Sequence, residues 1–220
     1  MKKITASLLS TSLVFSLGTT VMADNSDKRL ISESRATNAV EPYREPTEDI
    51  TTEFAKKMRD NAAYMAYYAM NEERQGTYPL ATGKKFASKV KSRGEWDYKR
   101  EYGTRTSYYF DDHFLYGEDL GNMHYGFVGR AAGFSKKILQ VAAGAVQIYS
   151  GTSYIGWYDS YFDDPDDQEW IIFGIDMFDD NSLPTVRSLV ETLSDEEKKG
   201  IEEEVKKDVE EIRKEKRNGM

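Results

Sequence analysis

The stretch TEDITTEFAKKMRDNAAYMAYYAMNEER, Thr47 to Arg74, decides the fold class. Phe54, Met58, Ala62, Met65 and Tyr68, with Ala69 beside it, return every three or four residues. That spacing places them on one face of a helix and predicts a stripe turned to a core. Thr47 is positioned to cap it, and Glu48 and Asp49 fall in the first turn, where the positive end of the helix dipole favours carboxylates. Gly76 is the expected stop.

Downstream the pattern stays helical. ATGKKFASKVKSRGEWDYKREYG gives a short basic helix that Gly94 stops. TSYYFDDHFLYGED is aromatic on both sides of a turn and predicts either a small hairpin or an irregular loop. MHYGFVGRAAGFSKKILQVAAGAVQIYSG reads as one long helix, or two joined at Gly133-Phe134-Ser135, with Ile138, Val141, Ala142, Ala145, Val146 and Ile148 toward the core. DDPDDQEWIIFGIDMF starts a further helix, with Asp164 as cap, Pro165 at the first helical position and Asp166 and Asp167 in the first turn. Pro184 to Leu193 is a short helix. The last helix opens with a capping box, Ser194 and Glu197, and carries a narrow stripe of Ile201, Val205, Val209 and Ile212. Its other faces are densely charged, so it reads as a docked or partner-binding arm whose removal should cost little stability. The expected architecture is mainly α: one compact helical domain with a small irregular or hairpin segment and a charged C-terminal helix.

Upstream, Met1-Lys2-Lys3 precedes a short apolar run that ends in Val21-Met22-Ala23. A basic start, a short apolar centre and a small-residue end predict a secretory signal peptide, residues 1–23. Residues 24–46 form a polar leader, 47–183 the domain and 184–220 the C-terminal arm. The expected mature chain is exported, to the periplasm or beyond, and has no membrane span. With no cysteine in the chain, disulfides, thiolate metal sites and a cysteine nucleophile are excluded. A formal net charge of -8 argues against a general nucleic-acid binder, because phosphate affinity comes from clustered Lys and Arg. The charge is uneven: Lys84 to Arg105 is basic, whereas Asp111 to Asp119 and Asp159 to Asp180 are acidic.

Three stretches set polar residues among aromatics and glycines. In EWDYK, Trp96 and Tyr98 flank Asp97, and partial desolvation would raise its pKa toward acid–base use; the alternative is a carboxylate paired with Lys99 or Arg100. In EDLGNMHYG, His124 is one of two histidines in the chain, suited to proton transfer near neutrality. Asn122 could orient it or steady an oxyanion, and Asp119 could hold its tautomer. The alternative is a packed histidine near a helix start. His113 reads as a surface residue. In DSYFDDPDDQEW the carboxylates Asp159, Asp163, Asp164, Asp166, Asp167 and Glu169 offer oxygen ligands for magnesium or calcium, without the spacing of an EF-hand loop. Helix starting already accounts for Asp164 and Asp166, which leaves Asp163 and Asp167 as metal-ligand candidates. The chain has no phosphate-binding Gly-rich loop, nucleophile elbow or zinc-helix motif.

Together and in this order, Trp96-Asp97-Tyr98-Lys99, Gly121-Asn122-Met123-His124-Tyr125-Gly126 and Asp164-Pro165-Asp166-Asp167 with the following Gly174 resemble the bacterial polymorphic toxin type 44 family. The likeness covers roughly Thr47 to Asp180. It implies a small, mostly helical toxin or effector domain used between bacteria, a cognate immunity protein as partner, and an enzyme, with a nuclease among the suggested activities. Such domains usually end a large secreted carrier, whereas this chain has its own signal peptide. The resemblance favours His124 as an active-site residue.

Three functions follow. The first is an exported hydrolase of a cell-envelope polymer such as peptidoglycan, with catalysis drawn from His124, Asp97, Lys99, Asn122 and Asp119, and with Trp96, Tyr125 and Arg130 contacting substrate. A glycosidase would take its carboxylates from Asp97 or Glu95. The second is a nuclease toxin on RNA or DNA: His124 as base, Lys99 and Arg130 on phosphate, Asp163 or Asp167 on a divalent metal. The third is a non-enzymatic binding or inhibitor protein that acts through its terminal helix.

Overall fold

The computed structural model describes residues 48–150, 164–180 and 185–219, of which 145–150 by backbone alone. The signal peptide, the leader, Thr47, Asp159, Asp163 and Pro184 lie outside these residues. What is described is mainly α, as expected, with eight helices and one two-stranded sheet.

Helix α1, Thr51–Gln75, forms the middle of the fold. Its expected stripe is buried: Phe54, Met58, Ala62, Met65 and Tyr68 are fully enclosed and Ala69 nearly so. The helix starts later than its sequence suggests because the preceding residues pair with a strand. Ile50 N donates to Tyr109 O at 3.0 Å and Tyr109 N donates to Glu48 O at 2.9 Å. Asp49 meets the first turn, accepting from Thr51 N at 2.9 Å. Gly76 closes the helix in the left-handed region, φ 74°.

Helix α2, Leu80–Val90, has no cap of its own. The wholly buried Glu72 of α1 supplies one, with its two oxygens accepting from Ala81 N at 2.7 Å and Thr82 N at 2.6 Å. A carboxylate at the positive end of a helix satisfies donors that would otherwise be orphaned. Helix α3, Tyr98–Tyr102, leads to the hairpin of β1, Ser107–Phe110, and β2, His113–Tyr116. Asp111 and Asp112 turn it at φ 48° and 60°, the left-handed pair that a two-residue hairpin loop requires. Alternation then puts Tyr108, Phe110 and Leu115 in the core.

Helix α4, Gly117–Ala131, and helix α5, Lys136–Ser150, are separate, divided at Gly133 with φ 90°. Helix α6, Pro165–Asp179, begins as its sequence predicts: Asp164 Oδ1 accepts from Asp166 N at 3.0 Å and Pro165 follows. Asn122 meets Asp167, Gly126 meets Ile171 and Arg130 meets Asp179, so α4 and α6 run side by side in the same direction. Their contact is close because two glycines permit it. A Cβ on Gly126 would stand 2.1 Å from Ile171 O, and one on Gly174 would stand 1.9 Å from Met123 O. Both helices therefore present their N-terminal ends together.

Two expectations need correction. On α5 the buried side chain is Leu139, 1% exposed, while Ile138 and Val141 are 56% and 43% exposed and Ala142 is exposed as well. Leu139 turns toward α4, where Gly129 leaves room for it, so among the described side chains of α5 this face and not the apolar stripe meets the core; the side chains of Ala145, Val146 and Ile148 lie outside the description. The second correction concerns the terminal arm. After the short α7, Val186–Glu191, helix α8, Asp195–Asn218, opens with the expected capping box and lies on α1 and α2. Ile201, Val205, Val209 and Ile212 are each 5% exposed or less, in one cluster with Tyr67, Tyr68 and Ala81. Three tyrosines of α1 donate to its carboxylates: Tyr64 to Glu204 at 2.5 Å, Tyr67 to Glu202 at 2.6 Å and Tyr68 to Asp208 at 2.7 Å. Burying four aliphatic side chains contributes roughly 6–12 kcal/mol before ordering entropy. A stripe of this kind is part of the core. The arm is docked, as one of the two sequence readings had it, and the expectation that its removal costs little stability does not fit this burial.

Candidate active site

The sequence candidates divide into three places. The first is a closed aromatic box. His124 is 1% exposed, with the rings of Tyr98, Trp96 and Phe54 at 4.7, 5.2 and 6.4 Å from its own. Its Nε2 lies 3.0 Å from Asn61 Nδ2 of α1, and the same amide nitrogen donates to Tyr98 Oη at 2.7 Å. Among the described residues Nδ1 has no partner. Burial alone depresses its pKa to about 3, so the imidazole is neutral. Trp96 is likewise 5% exposed, wedged between His124 and Tyr64, with Lys89 Nζ 4.7 Å above its ring. These residues are enclosed within the core.

The second place is the scaffold around that box. Asp97 Oδ2 accepts from Arg93 N at 2.7 Å, which holds the turn where Arg93 adopts φ 63°. Glu95 pairs with Lys89 at 2.6 Å. Asp119 does not meet His124: its Oδ2 accepts from Tyr116 N at 2.7 Å and closes the start of α4. Burial pushes its pKa up to about 6, against the lowering effect of that hydrogen bond. Tyr125 donates to Leu139 O at 2.9 Å and stacks on Phe86 at 5.2 Å. Arg130 lies toward the other end of α4, held by Asp179 at 2.7 Å and by Phe134 O at 2.6 Å. Twelve helical residues separate it from Glu118, about 18 Å.

The third place is the shared N-terminal end of α4 and α6, which collects half-buried polar groups within reach of solvent. Asn122 Nδ2 donates to Asp167 Oδ1 at 2.7 Å and fixes that carboxylate against α4. Burial, then the charges of Asp164 and Asp166, hold the Asp167 pKa above the ordinary carboxylate value, while Asn122 and Lys99 pull it down. Glu118, one turn before Asn122, is also raised, first by burial and then by the charge of Asp167. Lys99 and Arg105 oppose that rise. The exposed Lys99 therefore acts on both acids at once. Two carboxyls that retain protons above their usual range, with Lys99 acting on both, form an arrangement suited to proton transfer.

So the structure brings together Lys99, Asn122 and Asp167 from three separate motifs and adds Glu118, which the sequence reading passed over. Its signal was available: Glu118 lies four residues before Asn122, on the same face of one helix. Among the described residues no group of three or more His, Asp or Glu side chains is placed to hold a metal ion; Asp163 is not among them. Nor is any described helix long and apolar enough to cross a membrane.

The family model for bacterial toxin 44 matches residues 85–180. That span runs from α2 to the end of α6 and contains every member of the site just described. No curated protein and no solved structure matches the chain.

Proposed function

Residues 85–180 belong to the bacterial toxin 44 family, which makes the chain a bacterial toxin by family, and from that premise we propose that it hydrolyses glycosidic bonds of a cell-envelope polymer such as peptidoglycan. One observation carries the reading. Glu118 and Asp167, on neighbouring helix ends, both hold their protons above the ordinary range, and Asn122 fixes one of them. Glycoside hydrolysis needs one protonated and one ionised carboxyl flanking the scissile bond. Glu118 is the general acid, since burial and a neighbouring negative charge keep its proton. Asp167 is the ionised partner: burial raises its pKa too, but the hydrogen bond from Asn122 opposes that rise and favours the charged form. It either attacks the anomeric carbon or activates water, according to the separation of the two carboxyls in the substrate complex.

In this reading His124 and Asn61 are positioning residues. They join α1 to α3 and α4 and so set the place of Lys99 and Glu118. The acidic surroundings of the pair repel a phosphate backbone, and the formal charge of -8 adds to that repulsion. Export by the signal peptide brings the enzyme to its polymer, and an immunity protein protects the producer by covering the acidic end of α4 and α6.

Compartment provides the test. Produced with its signal peptide, the chain is expected to lyse cells; without residues 1–23 it is expected to be harmless in the cytoplasm. Equal or greater toxicity of the cytoplasmic form would transfer the site to a nucleic-acid substrate.

A further inference from the structure

Glycine is the poorest helix former after proline, so a glycine inside α4 calls for a cause. Gly117, Gly126 and Gly129 have one within the fold: a Cβ there would approach Gly103 O to 2.1 Å, Ile171 O to 2.1 Å and Leu139 Cδ2 to 2.4 Å. Gly121 does not. Apart from its chain neighbours and the backbone of its own helix turns, no atom of the described residues lies within 4 Å of where its Cβ would stand, and its φ lies outside the left-handed region. Among the described residues, neither packing nor backbone conformation requires a glycine at this position.

Its neighbours on the helix indicate what does. Glu118 lies three residues before Gly121, Asn122 beside it and Tyr125 four residues after, and positions three and four apart share a face. Gly121 is thus bare backbone in the midst of the proposed acid, the side chain that fixes its partner, and an aromatic ring. Gly83 in α2 and Gly200 in α8 are also open, but neither adjoins the carboxyl pair.

We propose that Gly121 determines substrate specificity at this site: one face of a sugar ring of the glycan lies on its backbone, beside Glu118. The identity of the ring rests on the hydrolase reading above; the contact itself does not. A side chain at position 121 would lift the ring from Glu118, and a misplacement of about 1 Å can slow a reaction roughly 100-fold.

The test uses the full chain with Gly121→Ala, Gly121→Leu and Gly200→Ala, scored by melting temperature, by growth inhibition per folded molecule, and by digestion of purified sacculi. Each alanine is expected to raise Tm by about 2–4 °C, because it removes a helical glycine from open space. Gly121→Ala is expected to lose about 10–100-fold in growth inhibition and in digestion, Gly121→Leu to lose both completely, and Gly200→Ala to keep wild-type values. A more stable yet less active variant is the result that a purely structural glycine would not give. Wild-type activity in Gly121→Ala would overturn the proposal, as would a fall in its Tm, which would show that the position packs within the fold. Intact sacculi together with growth inhibition that still responds to position 121 would remove the glycan and keep the contact. Sacculi digested equally by wild type and Gly121→Leu would do the reverse.

Discussion

At the scale of single residues, Glu118 and Asp167 are expected to separate activity from stability. Glu118→Gln and Asp167→Asn each remove a proton-transfer group, worth about 10²–10⁴-fold in rate. Both side chains are half-buried and touch solvent, so the melting temperature should stay within a few degrees, as thermal denaturation will show. The pH profile follows from the same geometry. Glu118 works in its protonated form, so activity should fall as pH rises through a pKa held above the usual glutamate value, and Glu118→Gln should remove that limb. His124 acts on stability instead. Its folded pKa of about 3 lies below the ordinary 6.5, so the unfolded chain binds the proton first as pH falls. The full stability is present above pH 6.5 and is lost progressively toward pH 3, by on the order of 5 kcal/mol at the limit. Asp119 acts in the opposite sense: raised to about 6, it withdraws stability as pH rises from 3.8 through 6. Urea unfolding of wild type and Asp119→Asn between pH 4 and 7 resolves the two. The variant loses the Asp119 contribution, so its stability should rise more steeply with pH than that of wild type. Parallel profiles would mean that Asp119 does not hold its proton in the fold.

At the scale of elements, the contact of α4 with α6 sets the site, and two glycines set the contact. Gly126→Ala and Gly174→Ala each place a methyl group about 2 Å from a carbonyl oxygen, which forces the backbones apart. Overpacking of this severity costs about 3 kcal/mol or more, so both variants should melt lower by roughly 10 °C and lose activity with the fold. The contrast with Gly121 is the informative comparison. How far this level was legible in the sequence depended on what each signal encoded. The stripe of α1, the Asp164-Pro165 start and the Ser194–Glu197 box are local chemistry and stand as read. The core face of α5 was misread because an apolar stripe does not by itself say which face a neighbour covers: Leu139, outside the stripe, is the residue that meets α4 at Gly129. Asn122, Asp167 and Lys99 could be picked out one by one, but their meeting depends on α4 and α6 running in parallel, and that is tertiary. Glu118 was missed for the same reason: its importance comes from Asp167, 49 positions later in the chain. The environment of His124 was equally hidden, since its hydrogen-bond partner Asn61 comes from α1, ahead of the family segment.

At the scale of the whole molecule, the family segment 85–180 is not the folding unit. Its box needs Phe54 and Asn61 from α1, and α1 in turn is covered by α8. A chain ending at Leu193 exposes Tyr68 and Ala81, otherwise 0% and 1% exposed, together with the loss of a four-residue stripe. For a domain with a total stability of about 5–15 kcal/mol, that loss is large enough to abolish folding. Circular dichroism of residues 47–193 should show strongly reduced helix content and no cooperative melt. A cooperative transition near the wild-type temperature would show that α8 is an accessory arm after all.

The central claim is that Glu118 and Asp167 hydrolyse a glycan of the cell envelope. Its most direct test is mass spectrometry of the soluble products from purified sacculi incubated with wild type, Glu118→Gln and Asp167→Asn. The expected result is a set of fragments with new sugar reducing ends and intact peptide stems from wild type, and none above background from either variant. Sacculi left intact by wild-type protein that remains toxic would contradict the claim, and so would fragments released at the wild-type rate by Glu118→Gln.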